Sequence, residues 1–314
     1  MDTQPRIEWP AALDAGFGAL TISDYSNIST FFASLKQPPA DLDALGMLAW
    51  RASLNLHFLI EEQVLYVLAN CSGETTLWGP PIGENVTMGN VARAFDLLQR
   101  VRHGKRDSSI RYVWCHYALW QKIMASPDLR VSANATEYSY STSKIAALST
   151  SAYKKKRYIY EQVKRNYGPV ILRYTTALAP QCLALMVVWQ QQKAKRIDPK
   201  YFRKFESEVV ACETALRDRL PLSGVVALVN NRVEAFSIGA PHGENCFSCL
   251  FEKSNLEIRG ISTFVFAELA KSCDACYEEL NAGDDCGIEY LANAKRLWKP
   301  CSTQINYLIR ERMN

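Results

Sequence analysis

Apolar positions follow two periods along this chain. "HFLIEEQVLYVLAN" (57–70) carries two β-rich runs around a charged turn, which predicts two strands. "GETTLWGPPIGENVT" predicts a strand edge broken by Pro80, Pro81 and Gly83. "MGNVARAFDLLQRV" places Val91, Phe95, Leu98 and Val101 at helical spacing. "IRYVWCHYAL" reads as a strand or buried segment, and "DLDALGMLAWRASLNL", around Trp50, as the opening of a domain. The stretch "MASPDLRVSANATEYSYSTS" (124–143) has few large aliphatics and reads as a polar connector. A domain boundary inside it gives an N-terminal domain, 1–135, and a C-terminal domain, 136–314.

Beyond the connector, "KIAALSTSAYKKKRYIYEQVKRNYGP" predicts one or two helices stopped at Gly168–Pro169. "VILRYTT" predicts a strand. "KYFRKFESEVVACETALRDRL" predicts a helix with Phe205, Val209, Cys212 and Leu216 on one face. "SGVVALVNNRVEAFSIGAP" predicts two strands around a tight Asn-Asn turn, and "CFSCLFEK" a third. A helix ("ISTFVFAELAKSC"), a short strand ("YEELN"), a helix ("GIEYLANAKRLW") and a last strand ("TQINYLIRE") complete the order. Helices, three meandering strands, then helix, strand, helix, strand is the order of an N-acyltransferase-like (GNAT) domain. In that fold one strand splays from its neighbour and a helix N-terminus follows it, so backbone amides face an acyl donor. The expected fold class is α/β with mixed sheets, arranged as two tandem GNAT-like domains, the first a divergent copy.

Composition narrows the chemistry. The 314 residues are 48% hydrophobic and 22% charged, a globular balance with a mild net charge of +4. The start "MDTQPRIEWP" lacks an apolar signal core, and "ALAPQCLALMVVW" is interrupted by Pro180 and Gln181 and too short to span a bilayer. The expectation is a cytoplasmic protein with no integral membrane segment, whose ten cysteines are reduced. None of His57, His103, His116 and His242 lies in a nucleophile motif, and there is no G-x-S-x-G or P-loop. That argues against serine hydrolases and NTPases.

Cys246, Cys249, Cys273 and Cys276 form two Cys-x-x-Cys pairs, the skeleton of a zinc ribbon. "CFSCLF" contains neither Gly nor Pro and reads as strand, where residues three apart point to opposite faces. Four buried thiols acting as small hydrophobes are the preferred reading, with zinc the minor alternative. No cofactor is expected.

An ordered set of segments carries a resemblance: "YSYSTSKIAALS", "AYKKKRYIYEQ", "LVNNRVEAFSIG", "LFEK" with "IRG", "NAGDDCG" and "LANAKRLWKP". Together they resemble the C-terminal domain of phosphatidylglycerol lysyltransferases, clearly over 137–310 and more faintly before that. The resemblance implies a tandem GNAT-like fold and transfer of an aminoacyl group from a charged tRNA. It carries Lys156 and Arg157 onto the family's basic pair, Glu252 and Lys253 onto its Glu-Lys, and matches Gly260, Asn281, Asp285, Gly287, Lys295 and Pro300. Thr150, Tyr158, Ser262, Phe266 and Ala292 depart from the family pattern, and these departures bear on the acceptor and the amino acid.

Aminoacyl transfer needs a bound polyanion, an oriented ester carbonyl, an acceptor nucleophile and a group that takes its proton. Glu252, Lys253, Asp285 and Lys295 are the candidate catalytic residues, with a structural ion-pair network as the competing reading. Lys154, Lys155, Lys156, Arg157, Lys164 and Arg165 suit a phosphate backbone. Tyr153, with Tyr158, Tyr160 and Tyr167, suits stacking on bases, and Asn281 and Gly260 complete the candidate binding set. The competing reading is a solvated basic helix whose tyrosines pack inward. The expected donor is aminoacyl-tRNA and the acceptor a small metabolite, peptide or lipid. Two alternatives stand. One is a CoA-dependent N-acyltransferase, disfavoured because Glu257 occupies the position where such enzymes place Gln or Arg. The other is a non-catalytic module that binds RNA or a partner.

Overall fold

The computed structural model describes residues 9–32, 35, 39–40, 42–71, 74–101, 109–112 and 117–312. His103, His116 and the middle of "IRYVWCHYAL" lie outside these residues. The chain divides into two units, residues 1–136 with 304–314, and residues 137–303. Residues 304–314, assigned by the sequence pattern to the second domain, group with the first.

The first unit runs α1 (Pro10–Asp14), β1 (Gly18–Ala19), α2 (Tyr25–Phe32), α3 (Ala44–Trp50), β2 (His57–Glu61), β3 (Val64–Cys71), β4 (Glu74–Leu77), α4 (Met88–Val101), β5 (Ser109–Tyr112) and α5 (Tyr117–Ala125). Its strand order is β1-β2-β3-β4-β5, followed by β12 (Ser302–Glu311), with β4 and β5 parallel. The charged turn between β2 and β3 is a two-residue loop, with Glu62 and Gln63 both at positive φ, as a twist-matched hairpin requires. The helical stripe of α4 buries Val91, Phe95, Leu98 and Val101 against Tyr66, Leu68, Ile110 and Ile309.

The polar connector is a strand. Leu129–Ser141 forms β6, thirteen residues long, and the chain passes between the two units inside it. Its alternation was hidden because its buried members are Ala135, Glu137, Tyr138 and Tyr140 beyond the first residue, none of them aliphatic apart from alanine.

The second unit continues with α6 (Thr142–Ala147), α7 (Lys154–Tyr167), β7 (Val170–Arg173), α8 (Ala179–Ala194), α9 (Phe202–Arg217), β8 (Ser223–Val229), β9 (Arg232–His242), β10 (Cys246–Ser254), α10 (Ile261–Cys273), β11 (Glu279–Asp284) and α11 (Glu289–Arg296). Gly168 ends α7 in the left-handed conformation, and Asn230 and Asn231 turn β8 into β9 with positive φ at both. The strand order is β6-β11-β10-β9-β8-β7. One face of this sheet packs Tyr140, Val225, Ala227, Ala235 and Phe247 against Phe264, Val265 and Leu269 of α10, with Tyr160 and Val163 of α7 beside them. The opposite face carries α8 and α9.

Two irregularities in β10 decide where its side chains point and where the sheet opens. It pairs with the parallel β11 only over Cys246–Ser248, opposite Glu279–Asn281, and then the two strands part. A bulge between Cys249 and Phe251 also shifts its register on β9. The bulge resets the alternation. Cys249 and Glu252 come to one face, and Phe251 and Lys253 to the other.

Candidate active site

Glu252 lies on the stretch of β10 beyond its pairing with β11. Its backbone is opposite Ser237, whose hydroxyl lies 3.2 Å from the Cys249 thiol, so Glu252 faces the α7 and α10 side of the sheet. The residue is only part-buried by surface area, yet its carboxyl is densely surrounded by protein. Loss of solvation raises its pKa from 4.5 to about 7, against the pull of Lys253, Lys295 and Lys156. Burial is the larger effect.

Lys156, on the first turn of α7, is one of those three cations. Its ammonium stands 4.1 Å from the centre of the Trp298 ring. Burial lowers its pKa to about 8, with Glu252 pulling the other way and Lys155 adding to the depression. Lys295, on α11, donates to the Ala282 carbonyl of β11 at 2.5 Å. The α11 segment is itself tied down by Tyr140, which donates from β6 to the Lys295 carbonyl at 3.0 Å, and by Tyr153, which donates to the Trp298 carbonyl at 3.0 Å.

Lys253 acts on Glu252 through space, but its side chain leaves the strand on the other face. Consecutive strand residues point to opposite faces. Lys253 is 2% exposed, hydrogen-bonds Glu208 of α9, and lies 4.5 Å from the Trp189 ring of α8. Burial opposes its charge, but Glu208, with Cys212 and Glu252, holds the ammonium above the ordinary lysine value. The sequence-based pairing of Glu252 and Lys253 as one catalytic unit is therefore corrected. Lys253 anchors α8 and α9 to the sheet from behind.

Asp285 is also committed to structure. Tyr138 donates to its Oδ2 at 2.9 Å and the Gly287 amide to its Oδ1 at 2.9 Å, which fixes the turn after β11. Asn281 is buried, donating to Glu137 at 3.2 Å and accepting from the Gly283 amide at 2.8 Å. Gly260 caps α10 at φ +91, and a Cβ there would come within 2.6 Å of Cγ2 of Ile159 on α7. Its glycine is explained by helix packing.

The basic helix is divided in its roles. Arg157 donates to the carbonyl of Leu148, the left-handed cap of α6. Tyr153 is 3% exposed and Tyr160 stacks on Phe264 with centroids 4.9 Å apart, so neither ring is open to a base. That corrects the stacking role expected of Tyr153. Lys154, Lys155, Lys164 and Arg165 are exposed, as are Tyr158 and Tyr167. Lys154 and Lys155 stand on the first turn of α7, where a cation opposes the helix dipole and an anion is favoured.

Cys246 and Cys249 point to opposite faces of β10, and burial pushes both thiols up to about 12. Cys273 is buried at the end of α10 and Cys276 is exposed. Among the described residues no group of three or more His, Cys, Asp and Glu is arranged to hold a metal. No helix among them is long and apolar enough to cross a membrane.

The loop before α10 is where a GNAT enzyme would cradle the pyrophosphate of CoA. Here Leu256 donates to Gln192 at 2.7 Å and Glu257 to Asn255 at 3.0 Å, while the Ile258 and Ile261 amides bond within the turn. Those four donors are already used. With the acid at Glu257, this loop is poorly suited to a polyphosphate.

The residues that sequence reasoning missed are Tyr138, Tyr140, Glu208, Trp189 and Trp298. Each acts across a sequence separation that no local pattern reports. The lone hint was Trp298, beside Lys295 and Pro300 in the last motif.

The family model described as "Phosphatidylglycerol lysyltransferase, C-terminal" matches residues 34–310. Among solved structures, a conserved protein of unknown function from Bacteroides thetaiotaomicron superposes with a TM-score of 0.80 at 20% identity, covering 94% of this chain and 99% of that one. L-PGS from Bacillus licheniformis gives 0.63 at 12% identity, with 92% of each chain covered. A tandem GNAT protein from the clavulanic acid biosynthesis pathway gives 0.50 at 10% identity, covering 94% and 96%. These likenesses establish the tandem GNAT-like fold. No curated protein matches the sequence.

Proposed function

Because this chain belongs to the phosphatidylglycerol lysyltransferase C-terminal family, we propose that it moves an aminoacyl group from an aminoacyl-tRNA to a hydroxyl or amine acceptor. The observation that carries this reading is Glu252. Burial raises its carboxyl to about 7, on the stretch of β10 beyond its pairing with β11, against the pull of Lys253, Lys295 and Lys156. A base is most effective when its pKa lies near working pH, and Glu252 meets that condition through burial.

In the proposed reaction the Glu252 carboxylate takes the proton from the acceptor as its oxygen or nitrogen attacks the ester carbonyl carbon. Lys156 and Lys295 balance the charge that gathers on the carbonyl oxygen. Collapse breaks the ester bond to the terminal ribose of the tRNA. The protonated Glu252 returns its proton to that ribose oxygen, which leaves as a hydroxyl. Lys154 and Lys155 supply phosphate contacts at the entrance. Lys253, Asp285, Asn281 and Gly260 act by positioning β10, the turn after β11 and α10.

The test is incubation of the purified protein with total tRNA charged with labelled amino acids, together with a lipid extract, a peptide pool or a small-metabolite fraction. Ribonuclease-sensitive transfer into one fraction supports the reading and identifies the acceptor class. Transfer from acetyl-CoA that survives ribonuclease would replace the donor. Tight RNA binding without transfer from either donor would leave a binding module.

A further inference from the structure

The connection between α8 and α9 carries charge that the fold does not use. Residues 193–204 hold six basic residues, Lys193, Lys195, Arg196, Lys200, Arg203 and Lys204, against one acid, Asp198. That is a net +5 in a chain whose whole formal charge is +4. All but Lys193 are exposed.

Local structure occupies three of the six, and Lys193 lies over the Tyr290 ring within the field of Glu208. Lys200 pairs with Asp198 at 3.3 Å, and Lys204 donates to the Cys286 carbonyl at 2.5 Å. Lys195, Arg196 and Arg203 have no acidic partner among the described residues. Arg203 and Lys204 also lie on the first turn of α9, which contains no acid, so they stand at the positive end of the helix dipole. Holding like charges together there is unfavourable unless an anion joins them.

Aromatic rings are set among these cations. Phe202 is 41% exposed and Tyr290 of α11 is 46% exposed. Tyr201 and Tyr290 meet edge to face with centroids 6.1 Å apart, and Lys193 lies 5.5 Å from the Tyr290 ring. Exposed rings beside Lys195, Arg196 and Arg203, the cations without an acidic partner, suit unpaired nucleotides, with phosphates on the cations and bases on the rings. The bond from Lys204 to Cys286 puts this corner against the turn after β11, and α11 joins it to Lys295.

We infer that the α8–α9 corner is a second RNA-contact surface that receives an unpaired stretch of the donor tRNA. It lies on the face of the sheet opposite α7. The inference rests on the aminoacyl-tRNA reading above. A membrane surface is a different occupant for the same charges. RNA is favoured because the exposed rings are interspersed among the cations and do not form one apolar stripe.

The experiment measures binding of total uncharged tRNA across a salt series, for the wild type, K195A/R196A/R203A and F202A/Y290A. Thermal melts verify that the variants fold. The cation variant should lose roughly 10- to 100-fold in affinity and about two to three units of salt slope. The aromatic variant should lose roughly 10-fold or more with its slope unchanged, because stacking releases no counterions. A wild type that binds tRNA, with a cation variant that matches it in affinity and slope, would overturn the corner and leave the transferase reading standing. A wild type that binds no tRNA even at low salt would overturn both. Phosphatidylglycerol–phosphatidylcholine vesicles serve as the competing probe. If the cation variant loses vesicle binding while keeping its tRNA affinity, the surface belongs to a membrane.

Discussion

Replacing Glu252 with Gln keeps the shape of the side chain and removes its charge. In the unfolded chain this carboxyl ionises near 4.5, and in the folded chain near 7. A folded pKa raised above the unfolded one means that the unfolded state releases its proton first as pH rises. Stability from this group is fully present below about 4.5 and is lost progressively until pH passes 7. At about 1.4 kcal/mol per decade, the full loss is on the order of 3 kcal/mol, a ceiling because the side chain retains some contact with water. Glutamine has no proton to lose. Urea unfolding of both proteins at pH 4, 5, 6, 7 and 8 should therefore show little difference at pH 4 and a widening advantage for E252Q, approaching the ceiling at pH 8. Transfer activity should fall in the same variant by about 10²- to 10⁴-fold, the usual contribution of a positioned base. A stability difference that stays constant with pH, or a variant less stable than wild type at pH 8, would refute the argument. The carboxylate would then be a net-favourable partner of Lys156 and Lys295.

The remaining predictions concern the same second unit. The pH profile of kcat/KM should be bell-shaped, rising as Glu252 ionises near 7 and falling as Lys156 loses its proton near 8, and E252Q should lose the rising limb. Glu208→Ala leaves Lys253 buried without its carboxylate and should cost about 1–3 kcal/mol, below the fully buried case because Glu208 reaches solvent, whereas the pair E208A/K253M should recover most of that in urea unfolding. Gly260→Ala meets both positive φ and the Ile159 methyl and should cost about 1–3 kcal/mol, with partial recovery on adding Ile159→Ala.

Local patterns were legible where one face of an element is aliphatic. The stripe of α4, the Asn-Asn hairpin, the α9 helix and the order of strands and helices after residue 200 follow from periodicity and turn chemistry, whereas α8, interrupted in sequence by Pro180 and Gln181, does not read as a helix. Strand β6 was not legible, because its inward positions are tyrosines and a glutamate that pack and hydrogen-bond instead of showing an aliphatic alternation. At the site, the ordered motifs single out Glu252, Lys253 and Lys295, but place Lys156 in the phosphate-binding set and Asp285 in the catalytic one. The bulge at Cys249–Phe251 decides which residues share the face of Glu252, and a bulge leaves no local signature here. Alternation alone separates Glu252 from Lys253, the same rule that separates Cys246 from Cys249. Two adjacent charges invite pairing, and the strand geometry forbids it. The tyrosines of the basic segment were ambiguous until burial assigned Tyr153 and Tyr160 to the core and Tyr158 to the surface.

The central claim is that a near-neutral Glu252 takes the acceptor proton during transfer from a charged tRNA. The most direct measurement is the pH dependence of ribonuclease-sensitive aminoacyl transfer by wild type and E252Q, run side by side on the fraction that accepts label. Wild-type transfer should rise through pH 7, and the E252Q rate should be at least about a hundredfold lower and flat across that range. An E252Q protein that transfers at the wild-type rate with the same pH profile would contradict it.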